Sequence, residues 1–304
     1  MNRKAIAVYF DDSDKMDIEF SWLWKTWRLY SLDDEYDLVV YYNPSASERL
    51  KKYDGIVKFP MPYIRMAEKY KFLNSHYFCT DEWSEPLKKY EYILKTDCDV
   101  FLTQNLKGYT PSKIMVGEGG YYSQNDHSKI EYIKKLGRKF GLHHYNMSSI
   151  GASFYGEAHH IITMVKNIAD VTEYILKTDY QSKEFIDSGF DLGVASMIAG
   201  EAYINGVLSN QHLNLYSLDS KCWKTTKIGS DVLHIHAWHC DIPWSKQAFF
   251  RGEYSEWKVD FEEAFLNAAN YCEWVANLSF EQVEIIRENV RSGGASLIYG
   301  LLQD

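Results

Sequence analysis

The sequence predicts an α/β protein whose mixed sheet is covered by helices on both faces. Three observations predict it. Short apolar runs rich in β-branched and aromatic residues, such as "KAIAVYF" (4–10) and "YDLVVYYN" (36–43), fit strands buried on both faces. Longer stretches between such runs repeat apolar residues at helical spacing. The two patterns alternate along the first hundred residues, as they do in a doubly covered sheet.

"KAIAVYF" opens the chain as a first strand and ends in acids and Ser, a loop composition. "SWLWKTWRLYSL" (21–32) carries the helical repeat. "YDLVVYYN" (36–43) and "DGIVKFP" (54–60) are strands closed by Asn-Pro and Pro. A helix is predicted from Ile64 to Phe78, and "EYILKTDCDVFLT" (91–103) reads as one further strand. "KIMVGEGG" (113–120) and "SSIGASFYG" (148–156) are strands ending in Gly. Helices are predicted over 157–177 and from near Asp191, and "DVLHIHAWH" (231–239) is a late strand. The tail from about Asp260 to Asp304 is a helical annex. Within it Ser279, followed three residues later by Gln282, has the form of a capping box.

Composition narrows the function classes. The 304 residues are 46% hydrophobic and 25% charged, which describes a folded chain, and they form one large domain, 1–304. The formal net charge of −9 with no basic block argues against nucleic acid as a partner. Five Cys without framework spacing suit a reducing compartment. No segment reaches the ~18 apolar residues of a membrane span, and the start does not read as a signal peptide, so the expected location is cytoplasmic. Aromatics at 16% suit a groove for sugars or other flat ligands.

Two constellations carry chemistry. Asp97 and Asp99 interrupt an apolar strand one residue apart. Residues i and i+2 of an extended chain share one side, and ligands of α/β sheets bind beyond the carboxyl ends of strands. Two carboxylates there suit a hard divalent cation, Mn²⁺ or Mg²⁺, shared with phosphates. The bland alternative is a pair of solvated turn acids. The second constellation is "HIHAWHCDIPWSK" (234–246), with His234, His236 and His239 followed by Lys246. At least one of these His is expected to be a core residue with satisfied hydrogen bonds. A zinc site with Cys240 lacks a second Cys-x-x-Cys arm.

Together these features resemble the GT-A nucleotide-sugar glycosyltransferases, with a C-terminal segment similar to that of the glycogenin-like and lipopolysaccharide galactosyltransferase group. That group shows His-x-x-Gly-x-x-Lys-Pro-Trp. Here the Gly is missing, Trp precedes Lys, and the spacing differs. The resemblance spans roughly residues 4–250. It implies a GT-A (Rossmann-like) fold with a nucleotide-sugar-binding part over about 1–103, an acceptor and metal part over 104–250, and the helical segment 251–304.

The resemblance further implies that Asp97 and Asp99 hold the metal and the ribose, with His239 or His236 as the third protein ligand. It places Lys246 on the diphosphate. Tyr9, Phe10 and Asp11, at the end of the first strand, would lie beside base and ribose. Lys71 and Asn74, with Ser75 on the same predicted helix face, would reach the donor, although a solvated surface Lys71 is the plain alternative. "SSIGASFYG" would line the donor sugar, its Gly allowing close backbone approach. Asp191, before "LGVASMIAG", is either an N-cap or a carboxylate facing the reacting sugar, with Asp187 as the nearby substitute.

The expected activity is therefore metal-dependent transfer of a sugar from a nucleotide sugar, UDP-linked in the leading reading, to a hydroxyl of a glycan or other acceptor. The His…Lys segment leans toward retention of configuration, and an inverting enzyme would need a base that Asp191 could supply. Two rival readings use the same residues. One is a metal-dependent nucleotidyltransferase or phosphohydrolase, against which stands "DDSDKMD" where a basic Gly-rich loop would be. The other is a non-catalytic carbohydrate-binding protein of the same fold.

Overall fold

The structure, a computed structural model, describes residues 3–68, 70–123, 125–143, 149–207, 213–237, 244–254 and 261–292. Strand β1 (Lys4–Phe10) lies near the middle of a seven-stranded sheet. It pairs in parallel with β2 (Tyr36–Tyr42) on one side and with β4 (Tyr92–Lys95) on the other. β3 (Val57–Pro60) adds to β2, also in parallel. Beyond β4 the direction reverses at β7 (Ile150–Glu157), which is antiparallel to both β4 and β6 (Ile114–Glu118). β8 (Leu213–Leu218) closes that edge, parallel to β6, so the sheet order is β3-β2-β1-β4-β7-β6-β8.

Strict alternation along β1 builds two cores. Ala5, Ala7 and Tyr9 enter one layer, and Ile6, Val8 and Phe10 enter the other. Successive side chains of a strand point to opposite faces, so an unbroken apolar run is what a doubly covered strand requires. On the first face lie α2 (Asn74–Tyr77), α3 (His127–Lys139), α4 (Ala158–Tyr174), α5 (Lys183–Ser188) and α6 (Ala195–Val207). On the second lies α1 (Asp14–Leu29), capped by the Ser13 hydroxyl at the amide of Met16. Its acids Asp14 and Asp17 stand in the first turn, where the helix dipole favours them. The expected helix start at residue 21 misses this cap by two turns.

A second sheet of three strands, β5 (Val100–Leu102), β9 (Ser220–Lys221) and β10 (His234–His236), is ordered β5-β10-β9. The stretch 91–103 is therefore two strands in two sheets, not one. The acids stand in the turn between them, Asp97 partly open to water and Asp99 buried. The predicted helix over 64–78 is instead two 3-10 turns, Arg65–Glu68 and Lys71–Leu73, running into the single turn of α2. The runs forming α3, α5 and β8 were not read from sequence.

The annex begins with α7 (Lys246–Phe250) and α8 (Phe261–Ala264) and ends with α9 (Ala268–Asn277) and α10 (Phe280–Arg291). It is welded to α1. Trp22 and Leu29 of α1 enter a third core with Tyr271, Val275, Val283 and Ile286. Arg28 makes a two-pronged ion pair with Glu284, at 2.7 and 2.8 Å. The buried Lys25 amine donates to the Ala276 carbonyl at 2.9 Å, occupying the exposed end of α9. The Ser279–Gln282 capping box is formed. Among the described residues no helix is long and apolar enough to cross a membrane, and Cys79, Cys98, Cys222 and Cys272 are buried free thiols.

Candidate metal and donor site

The carboxyl ends of the parallel strands β1 and β4 meet where the chain crosses into the second sheet. Thr96 donates its amide to Ala7 at 3.1 Å, and the Cys98 thiol donates to the carbonyl of Tyr9 at 3.3 Å. These bonds fix the turn 96–99 against the end of β1. On the other side, β10 runs antiparallel to β5 in a register that sets His236 opposite Val100. The amide of Ala237 then donates to the Asp99 carbonyl at 2.9 Å. That register brings the His236 ring to Asp99, whose Oδ2 accepts from Nε2 at 3.2 Å.

Asp97, Asp99 and His236 each offer one donor atom, and these atoms lie within 4.8 Å of one another. Two carboxylates and an imidazole suit Mn²⁺ or Mg²⁺ better than a thiolate-seeking ion. The residues therefore fit the metal that the sequence resemblance implies. Asp97 is the accessible member, with a third of its side chain exposed, and Lys95 approaches it to 3.5 Å. Asp99 is buried.

Two further charged groups complete the cluster. Lys246, at the start of α7, is buried with its amine on Asp99 and 3.3 Å from Glu19 of α1. The Lys246 ammonium, which the resemblance places on the diphosphate, is here set between two carboxylates. The Ser245 hydroxyl, which caps α7 at the amide of Ala248, holds it there. Glu19 is the member of this charged cluster that the sequence pattern did not single out. The available signal was a lone acid on the same face of α1 as the buried Trp22 and Thr26, at i, i+3 and i+7.

The charges tune each other. Burial alone would raise the Asp99 carboxyl, but Lys246 and His236 overcome it and hold the group well below its usual range. Burial disfavours charge on His236, yet the Asp99 carboxylate prevails and pushes the imidazole up to about 9. Glu19 is pushed up to about 7, first by burial and then by the Asp99 charge. Burial drives the Cys98 thiol well above its ordinary value, and the surrounding carboxylates of Glu19, Asp97, Asp99 and Asp11 raise it further.

Beneath the turn lies a wholly buried polar network. His234 Nε2 meets the Thr96 hydroxyl at 2.7 Å, and its Nδ1 accepts the amide of Asp219 at 3.1 Å. Asp219 in turn accepts from the Ser153 hydroxyl at 2.7 Å. His234 is the satisfied core histidine of the triple. Asp219 has left-handed backbone, φ 57°, and a Cβ at Gly117 or Gly151 would collide with its carboxylate. The small residue Gly151 expected to admit the donor sugar makes room for Asp219 instead.

At the end of β1, Tyr9 and Asp11 share the face opposite to Phe10. Tyr9 donates to the Met61 carbonyl at 3.2 Å and stands 6.2 Å, ring to ring, from the half-exposed Tyr63. Phe10 is fully buried against Phe20, so it is core and not a donor contact. Asn74 is buried and accepts the amide of Ile64 at 3.3 Å. Its Nδ2 and the Oδ1 of Asp11 are buried without a well-formed hydrogen bond among the described residues, with the Tyr9 hydroxyl beside Asn74 and the Tyr63 hydroxyl beside Asp11. Lys71 belongs to a 3-10 turn that runs into α2 and not to one long helix. The Lys71 side chain, and all of His239 and Cys240, lie outside the described residues.

Asp191 caps the 3-10 turn before α6, accepting the Gly193 amide at 2.6 Å. It is exposed. Tyr70 bonds Gly193 and Ser196 from across the site, at 3.1 and 2.9 Å. Its hydroxyl is pushed up to about 12, chiefly by burial, with smaller contributions from both Asp97 and Asp191. Tyr70 thus feels the charge of both Asp97 and Asp191. Asp187, on α5, faces a different cleft beside Lys135 and Lys183 and does not join the cluster.

Residues 1–284 match a family model described as a domain of unknown function, DUF7164. No curated protein matches the chain.

Proposed function

We propose that this chain, which belongs to the DUF7164 family, is a metal-dependent glycosyltransferase of GT-A type that uses a nucleotide-sugar donor, with UDP as the expected nucleotide. One observation carries the reading. Asp97, Asp99 and His236 converge at the carboxyl ends of the parallel strands, where α/β sheets bind their ligands. The mixed sheet covered on both faces and the buried polar side chains of Asp11 and Asn74 around Tyr9 support the same reading.

In sugar transfer an acceptor oxygen bonds to the anomeric carbon while the bond from that carbon to the diphosphate breaks. Asp97, Asp99 and His236 would hold a divalent ion, which when bound supplies Lewis-acid stabilisation of the diphosphate leaving group. Lys246 brings a fixed positive charge to the same end, as departure of the diphosphate demands. Tyr9, Asp11, Tyr63 and Asn74 line the place for base and ribose. Asp191, exposed before α6, is the carboxylate that would serve the reacting sugar or the acceptor hydroxyl. The remaining contribution is positioning of the acceptor.

The test is release of nucleoside diphosphate from UDP-, GDP- and dTDP-sugars with Mn²⁺ present or chelated. The account expects one donor to be turned over only with the ion, and Asp97→Asn to abolish this. Turnover that is equal without metal, or unchanged in Asp97→Asn, contradicts it.

A further inference from the structure

At the opposite end of the sheet, where β7 passes into α4, three ligand-type side chains face one another. Glu157 pairs with Tyr92, the first residue of β4, so this place is a full strand length from Asp97. Glu157 Oε2 lies 3.6 Å from Nδ1 of His159 and 3.6 Å from Nδ1 of His160. The donor atoms of the three side chains all lie within 4.8 Å of one another. The two imidazole rings stand 3.8 Å apart, centre to centre, tilted by 40°.

Adjacent residues of a helix point about 100° apart, so the rings must turn toward each other to meet. Both are exposed, and no core packing holds them there. A protonated imidazole can pair with the Glu157 carboxylate at 3.6 Å, although that is longer than a hydrogen bond. The spacing has another meaning. Nitrogen and oxygen ligands at about 2.0–2.2 Å from a tetrahedral ion are separated by roughly 3.3–3.6 Å. The two measured separations match that edge.

The surroundings are compatible with a cation. The positive end of α4 opposes one, and the Glu157 carboxylate at its N-cap offsets this. The cluster borders a cleft of about 450 Å³ whose wall includes Glu91, Tyr90 and Lys88. The Lys88 ammonium is occupied by Glu85 at 2.7 Å. The fourth position of a tetrahedral ion would open onto this cleft, as it does where an ion keeps a water or an exchangeable ligand.

We propose that Glu157, His159 and His160 form a second metal site, for Zn²⁺ or another imidazole-seeking transition ion, separate from the oxygen-rich site at Asp97 and Asp99. Two imidazoles and one carboxylate select such ions over Mg²⁺ and Ca²⁺. The proposal does not rest on the glycosyltransferase reading.

The test is calorimetric titration of the full chain with Zn²⁺, with Co²⁺ as the coloured probe of geometry. Asp97→Asn is the background, so that the first site is weakened while the fold is kept. One equivalent of Zn²⁺ should still bind, with the visible absorption of tetrahedral Co²⁺. Adding His159→Ala or His160→Ala should weaken that equivalent at least 10- to 100-fold, because the loss of an outer-shell partner alone has that effect. Both histidines are exposed, so the melting temperature of the metal-free protein should not move. Failure of Asp97→Asn to bind Zn²⁺, or equal affinity after either His substitution, overturns the proposal. Neither result bears on donor turnover.

Discussion

Asp99 and His236, 137 residues apart in the chain, are joined by a 3.2 Å hydrogen bond from imidazole Nε2 to carboxylate Oδ2. The bond exists because β5 and β10 pair antiparallel directly behind the two residues. Asp97, two positions away, is partly open, and its neighbour is the Lys95 amine at 3.5 Å, which keeps a 2.8 Å bond to the Ala152 carbonyl of its own. The two acids of one short motif therefore have different physical roles, and their substitutions should differ.

Asp97→Ala should leave the melting temperature nearly unchanged and abolish metal-dependent donor binding. Asp99→Ala should abolish binding and also destabilise the fold. It leaves the half-buried His236 and the buried Lys246 without their shared carboxylate, with only Glu19 still facing Lys246. Removing one partner of a buried ion pair costs about 3–5 kcal/mol. Sequence alone predicts that deleting either acid is harmless to stability, since like charges are being removed. Thermal melts of the two variants decide between these.

Lys246→Ala addresses the phosphate contact. If the ammonium turns to the diphosphate when donor binds, UDP binding should weaken by about 1.5–3 kcal/mol more than UMP binding. Calorimetry with the two nucleotides measures this. Equal weakening would leave Lys246 as the structural partner of Asp99 and Glu19 alone.

Asp191→Asn separates capping from catalysis. Asn can accept the Gly193 amide as Asp does, so stability should hold. Turnover should fall by roughly 10²-fold or more if the carboxylate serves the reacting sugar. Donor affinity should change little. A fully active Asp191→Asn enzyme would make this residue a cap and nothing more.

Lys25 gives a pH signature away from the site. Burial, aided by Lys52, holds its amine down to about 8, below the ordinary lysine value of 10.5. Between those pH values the unfolded chain carries the proton and the folded chain does not. Stability should therefore rise with pH across that window. Lys25→Met removes this titration, so the wild type should gain stability relative to the variant between pH 8 and 10.5. Denaturant unfolding of both across that range checks the sign.

The fold was legible where burial is written into local pattern. The run 4–10 could be read as a doubly covered strand because every residue from Ala5 to Phe10 is buried. The site was legible in part. Asp97 and Asp99 stood out because acids are costly beside an apolar strand. Glu19 did not, because its partner Lys246 comes from the other end of the chain. The break between β4 and β5 was invisible for the same reason. Pairing with β10 is a long-range event, and a run of apolar residues looks alike whether it serves one sheet or two. Phe10 was misassigned by proximity to Asp11, although strand alternation alone sends it to the opposite face.

The most direct test of the account is calorimetry of UDP binding with and without Mn²⁺, on the wild type and on Asp97→Asn. The account predicts that the ion tightens UDP binding by at least about tenfold in the wild type, which corresponds to 1.4 kcal/mol. It predicts no such tightening in Asp97→Asn, at unchanged melting temperature. Binding of UDP that is indifferent to Mn²⁺ in the wild type, or equally responsive in Asp97→Asn, would contradict it.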